Sequence, residues 1–537
     1  MRLTNEALKD KVFWEKADIS LPNFDRDVMI AATQSTPKWI HFGAGNIFRA
    51  FPAALAQSLL DAGLEKTGIV VAVRYNRETI DKCFGAFDNL SLLVTLKADG
   101  STEKKVIASL ASYLGLDCDW LALKKVFANP SLQMASFTIT EKGYNLTGKD
   151  GDLLPEIAGD IGAGPDSANS FLGRLTALCY ERYTNGSHPL ALVSLDNCSR
   201  NGDKLFAAVE AIARFWVEKG SINAGFLDYV RNPKKLSFPW TMIDKITPGP
   251  DNGVRGMLTG LGLENMLSMT AGKNTLIAPF VNAEETQYLV IEDAFPNGRP
   301  ALEQAGVLFT DRQTVDKVEK MKVGTCLNPI HTALAIFGCL LGFKLINEEM
   351  KDADLVKLAE GIGYSEGLPV VKDPGILNPK EFIDEVIKVR LPNPFLPDSP
   401  QRIAADTSQK IPVRFGGTLK AYRESGKNMK ELKLIPLVFA GWLRYLLGID
   451  DKGNTFEISP DPMYESLKEK LSCLKVGQTT NKEQIHNKLK SILSSPSLFG
   501  LDLYEVGLGG RVEEFFVSMI SGPGAVRELL SQIVKSQ

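Results

Sequence analysis

Trp39-Ile40-His41-Phe42 runs straight into Gly43-Ala44-Gly45. Behind the glycines, Ile47, Phe48, Phe51, Leu55, Leu59 and Leu60 recur at near-helical spacing until Gly63, and Ile69-Val70-Val71-Ala72-Val73 follows as a second apolar strand. Strand, glycine turn, helix and strand make a βαβ unit. The first glycine permits the tight turn and the second lets the backbone approach a pyrophosphate, which points to a dinucleotide. Gly43, Gly45, Asn46 and Ile47 are the candidate cofactor-binding residues. The third glycine of the usual fingerprint is absent, Phe48 standing in its place. The second strand ends in Val73-Arg74-Tyr75-Asn76, without the acidic residue that holds the ribose hydroxyls of NAD. Arg74 could meet a 2′-phosphate or be a solvated surface arginine. The expected cofactor is NAD, with NADP left open.

Further strands are expected at Leu92–Leu96, Ser136–Thr140 and Ala191–Ser194, alternating with helical stretches such as Leu205–Glu218. Such alternation argues for a parallel sheet covered on both faces. Pro279–Ile291 reads as another strand region. Beyond residue 300 the pattern turns helical: Val315–Lys322, Pro329–Leu345, Met350–Gly361, Pro379–Arg390 and Met429–Leu447. The expected fold is α/β. Residues 1–300 would form a Rossmann-type dinucleotide-binding domain behind an irregular N-terminal arm of about thirty residues. Residues 301–537 would form a mainly α-helical substrate and catalytic domain. No internal repeat is evident.

Composition narrows the class. The chain has 537 residues, 44% hydrophobic and 23% charged, with a net charge of −3. That is ordinary globular usage without the basic footprint of a nucleic-acid binder. The longest apolar stretch, Ala333–Leu345, is interrupted by Gly338 and Gly342 and falls short of the roughly 18–20 residues that span a bilayer; it reads as a buried helix. Seven scattered cysteines without a Cys-x-x-Cys suit a reduced compartment, and four histidines without His-Glu-x-x-His argue against a protein-built zinc site. No apolar signal core opens the chain. A cytoplasmic protein without nucleic-acid, membrane or metal partners is expected, as a monomer or small homo-oligomer.

Several segments together resemble the mannitol dehydrogenase family of polyol-specific long-chain dehydrogenases. They are His41-x-Gly-x-Gly with Arg49-Ala50, Thr138-Ile139-Thr140-Glu141-Lys142-Gly143-Tyr144, and Ser194-Leu195-Asp196-Asn197 with Asn201-Gly202. The series continues with Phe238-Pro239-Trp240-Thr241-Met242-Ile243-Asp244-Lys245-Ile246-Thr247-Pro248, then Lys322 through Asn328 to His331, Arg390-x-x-Asn393-Pro394, and Ser408-Gln409-Lys410-Ile411-Pro412. The resemblance implies metal-independent hydride transfer between a nicotinamide and a sugar acid, D-fructuronate/D-mannonate. The alternatives are a mannitol 2-dehydrogenase, a tagaturonate reductase and, more remotely, a non-catalytic dinucleotide-sensing regulator. It also implies Lys322 as general acid/base, Asn197 and Asn328 as donors to the developing alkoxide, and His331 as substrate orienter. Asp244, Arg390 and Lys410 would contact substrate, with Arg414 adding positive charge.

The chemistry agrees. Hydride addition to a ketone builds negative charge on oxygen; fixed neutral donors stabilise it, and a positioned acid then protonates it. Lys320 is the alternative for the lysine role, and Glu319 shares a helical face with Lys322. Lys322 and Asn328 are six residues apart where the family usually has five. Pro329 follows the asparagine where glycine is common, so Asn328 is expected as the N-cap of a helix starting at Pro329, with Gly324-Thr325-Cys326 as a connector that absorbs the extra residue.

Overall fold

The computed structural model describes residues 1–271, 275–478 and 481–536. They fall into two compact units, residues 1–97 with 101–316, and residues 98–100 with 317–537.

The first unit is built on six strands: β1 (Trp39–Phe42), β2 (Ile69–Val73), β3 (Leu110–Gly115), β4 (Met134–Phe137), β5 (Leu190–Ser194) and β6 (Leu236–Ser237). Their order across the sheet is β3-β2-β1-β4-β5-β6, and every pairing is parallel. Strands buried on both faces read as unbroken apolar runs, as all five residues of β2 do. Alternate side chains serve opposite cores: Ile40, Phe42, Val70 and Ala72 on one face, Trp39, Ile69, Val71 and Val73 on the other. The chain steps from β1 outward to β2 and β3, then returns to lay β4 against the other side of β1. Strand order therefore reverses at β1 and β4, and ligands of open parallel sheets bind outside the carboxyl ends of strands at such a point.

Three expectations need correction. The helix behind the glycine turn is broken into Asn46–Ala50 and Pro52–Asp61. Proline lacks an N–H and disfavours a helical residue before it, and Phe51 accordingly leaves the helical region at φ −127°, ψ −74°. The strand at Ser91–Leu96 is not in the parallel sheet: it pairs antiparallel with Thr102–Ile107 and parallel with Phe280–Glu284. The N-terminal arm is ordered, with helices at Lys11–Lys16 and Arg26–Ser35. Trp14 is fully buried, and its indole N–H donates to Ala7 O at 2.8 Å.

The second unit is helical. Leu434–Tyr445 is buried at every position, and beside it lie Asn328–Leu341 and Gly509–Met519. A helical run at Arg312–Leu341 is long and apolar enough to cross a membrane by length and composition alone, but 78% of its apolar window is buried within the protein. Gly342, at φ +84°, ends it. Three helices of this unit widen into π turns, at Lys322–Cys326, Gly361–Gly367 and Val386–Arg390. Such turns are rare and occur frequently at functional sites.

Candidate active site

In the first unit the candidate residues gather at the carboxyl edge of the sheet. Gly43 has φ +119°, and a Cβ there would stand 2.6 Å from Thr138 Oγ1 and 2.8 Å from Thr138 O. Only glycine lets the turn after β1 lie against the end of β4. A Cβ on Gly45 would meet nothing within 4 Å, so this side of the turn is open. His41 lies beneath, fully buried, with Nδ1 2.7 Å from Ser136 Oγ, Nε2 3.0 Å from Thr138 Oγ1 and its ring stacked on Phe48 at 3.9 Å. Burial pushes its pKa well down, so it is a neutral clamp between β1 and β4.

Asn46 joins this turn to the Phe238–Pro248 segment: its Nδ2 donates to Pro248 O at 2.9 Å, and its Oδ1 accepts from Arg49 Nη2 at 3.2 Å. Ile47 is half-buried beside it. Arg74 is half-exposed, donates to Asn169 O at 3.2 Å and lies 4.0 Å from Glu156.

Asn197 is exposed on the loop after β5, and the residues around it are tightly held. The Asp196 carboxylate accepts from the backbone N–H groups of Ile139 (3.0 Å) and Thr140 (2.8 Å) and from the Tyr144 hydroxyl (2.5 Å). Burial is the largest influence on Asp196 and raises its pKa despite these donors. Thr140 sits at φ +68°, ψ 157°, a region nearly reserved for glycine. On the other side of the loop, buried Asn201 donates to Asp196 O (3.0 Å) and Thr241 Oγ1 (2.8 Å) and accepts from Thr241 N (3.0 Å). Asp244, buried, ends the strand Thr241–Asp244 that this asparagine holds. Asp196, Tyr144 and Asn201 were visible only as members of the sequence blocks. Their signal was a carboxylate, a phenol and an amide beside strand ends, but which backbone groups they would meet depends on the fold.

In the second unit Lys322 opens a π turn and is 3% exposed, whereas Lys320 is exposed. Leu327 N donates to Lys322 O at 3.1 Å across five residues. The wide turn accommodates the extra residue between lysine and asparagine. Asn328 is not the N-cap expected from Pro329: Leu327 is, at φ −124°, and Asn328 is already helical. The backbone break falls one residue earlier because the π turn ends there. The Asn328 carbonyl accepts from Thr332 Oγ1 at 2.9 Å.

His331, one turn along, has Nε2 3.4 Å from Asp398 Oδ2, an electrostatic approach rather than an aligned hydrogen bond. Burial lowers the His331 pKa; Asp398 opposes this, while Arg414 and Arg390 push it further down. Burial raises Asp398, but His331 and Arg402 outweigh it and hold the carboxyl below its usual value. Arg390 closes the third π turn and is 3% exposed. The Lys410 ammonium donates to the carbonyls of Ile403 (2.9 Å) and Ala405. It is thereby engaged at the C-terminal end of the helix Pro400–Ala404.

A Rossmann-type unit with an open glycine turn, followed by a helical unit carrying a buried lysine, an asparagine and a histidine, defines a class of two-domain dehydrogenase folds. Residues 37–304 match the mannitol dehydrogenase Rossmann domain and residues 314–508 the mannitol dehydrogenase C-terminal domain. The chain belongs to the mannitol dehydrogenase family. It is 54% identical over 540 residues to the D-mannonate oxidoreductase of Thermotoga maritima, covering 99% of both chains. Pseudomonas fluorescens mannitol 2-dehydrogenase, solved as a ternary complex with NAD and D-mannitol, superposes with TM-score 0.69 at 26% identity over 100% of both chains. A substrate-free D-sorbitol dehydrogenase superposes with TM-score 0.81 at 25% identity, over 98% of this chain and 100% of that one.

Proposed function

We propose that the chain is an NAD(H)-dependent oxidoreductase interconverting D-mannonate and D-fructuronate. The observation that carries this is the 54% identity to a D-mannonate oxidoreductase along practically the whole chain. The residues at the glycine turn suit the dinucleotide, because the Gly45 side is open and a pyrophosphate would meet backbone there rather than side chain. Gly43, Gly45, Asn46 and Ile47 would hold it, and Arg74 would lie near the adenosine end. When bound, the nicotinamide supplies or accepts the hydride.

The chain's own residues do the rest. The carboxamide N–H groups of Asn197 and Asn328 donate to the oxygen on which negative charge develops, stabilising the alkoxide more than the ketone. Lys322 gives that oxygen its proton in reduction and removes it in oxidation. His331, oriented by Asp398, positions a substrate hydroxyl, with Asp244 and Arg390 as further substrate contacts. The Lys410 ammonium is engaged with the carbonyls of Ile403 and Ala405.

The test follows NADH and NADPH absorbance with D-fructuronate, D-tagaturonate and D-fructose. D-fructuronate should have the highest kcat/KM. Faster turnover of D-fructose would reassign the chain to the neutral polyol enzymes.

A further inference from the structure

Arg414 ends the helix Thr407–Arg414, one turn after Lys410. Its Nη1 donates to Thr332 Oγ1 at 2.5 Å and lies 3.5 Å from Asn328 O, which fixes the guanidinium against the first turn of the helix that bears Asn328 and His331. Among the described residues no carboxylate pairs with Arg414, and its Nε and Nη2 donate to no side chain or carbonyl. The nearby Asp398 is used by His331 and Arg402. Burial alone brings the Arg414 pKa down to about 10, so the group remains charged at neutral pH.

Arg414 is half-buried, and a partly desolvated guanidinium without a counter-charge favours an anion beside it. One edge of its planar fork is anchored and the other is open, and that open edge matches the two oxygens of a carboxylate. We propose that Arg414 receives the carboxylate of the sugar acid through its Nε/Nη2 edge and thereby sets the preference for an acid over a neutral polyol. The inference rests on the oxidoreductase reading above and adds the residue that selects the substrate class. Lys410, whose ammonium is turned to two carbonyls, does not share this role.

The experiment compares Arg414→Met, Arg414→Lys and Lys410→Met with the unaltered enzyme. It measures kcat/KM for D-fructuronate and D-fructose, and NADH affinity by fluorescence. Arg414→Met should lower kcat/KM for D-fructuronate by about a hundredfold or more, as when a site's charged hydrogen-bond donor to its substrate is removed. D-fructose turnover should change less than about threefold, and NADH should bind as before. Arg414→Lys, which keeps the charge but loses the fork, should fall between, and Lys410→Met should not discriminate between the substrates. If Arg414→Met does not fold, as lost NADH binding would show, Arg414→Lys carries the test. Equal losses on both substrates in the variant that folds, or an unchanged D-fructuronate rate, would overturn the role of Arg414. Preference of the unaltered enzyme for D-fructose would instead overturn the sugar-acid reading itself.

Discussion

In the proposed reaction Lys322 is the general acid/base. It is buried where its neighbour Lys320 is exposed. Lys322→Ala should lower kcat by about a hundredfold or more, the usual contribution of a positioned general acid, while NADH still binds. Retained turnover would show that another group protonates the alkoxide. Asp196 acts differently: it holds the backbone on which Asn197 stands. Its carboxylate satisfies the N–H of Thr140 at a conformation worth about 1–3 kcal/mol of strain. Asp196→Asn sets an amide donor against one of two backbone donors, so kcat should fall by about tenfold or more with little change in NADH affinity. Adding Thr140→Gly removes the Cβ that makes this conformation strained and should restore part of the loss. No recovery in the double variant would separate Asp196 from the turn. Sequence reasoning could nominate Lys322, Asn197, Asn328 and His331 because residue type and order carry the family pattern. It could not see that Lys410 spends its charge on carbonyls while Arg414 keeps an open edge, since both are simply cations on one helix until the fold shows what faces them.

Among the elements, the strands were the most legible. β1 and β2 stand on their apolar runs, β1 ending at Gly43 and β2 starting after Gly68, because burial on both faces leaves little choice of residue. The π turn at Lys322–Cys326 left only the six-residue spacing as a trace, and the cap moved from Asn328 to Leu327 because of it. Packing between helices was not legible at all. Glu349, in the short helix Ile346–Glu349, is fully buried with both carboxyl oxygens unpartnered among the described residues. It presses so closely on Gly338 that a Cβ there would stand 1.8 Å from Oε1. Burial, and secondarily Asp352, raise its pKa well above the ordinary 4.5. A raised pKa in the folded state favours folding fully below the unfolded value and loses that contribution as pH rises through the folded one. Glu349→Gln keeps the shape and removes the proton. Its Tm should therefore exceed that of the unaltered protein at pH 8, with the gap closing toward pH 4.5. For a unit this size each kcal/mol moves Tm by about 2–4 °C. A lower Tm for Glu349→Gln at pH 8 would mean that Glu349 is folded with its charge satisfied.

At the scale of the whole molecule, the segment beyond residue 450 had no role that its sequence declared, and the matched C-terminal domain stops at residue 508. The structure gives the last helices a structural role within the second unit. Gly509–Met519 packs along the fully buried helix Leu434–Tyr445, with Val512, Phe516 and Met519 at 0% exposure. Buried Arg444 donates to the carbonyls of Met519 (3.2 Å), Ile449 (2.5 Å) and Asp450 (3.2 Å), tying the end of one helix to the end of the other. The Asp451 carboxylate accepts from Val526 N (2.9 Å) and Arg527 N (3.1 Å) at the start of Ala525–Lys535. Arg527 in turn pairs with Asp352 and Asp354. Removing residues 509–537 would expose the apolar face of Leu434–Tyr445, take the Met519 carbonyl from the Arg444 guanidinium and leave the Asp451 carboxylate without its two backbone donors. Each fully buried side chain of the Val, Phe or Met kind contributes roughly 1.5–3 kcal/mol, so the three named here match much of a domain's net stability of about 5–15 kcal/mol. The chain cut after Leu508 should therefore be insoluble or lack a cooperative thermal transition, although it keeps every residue assigned to catalysis. A soluble truncated chain with an undiminished Tm would show that the last two helices are dispensable to the core they cover.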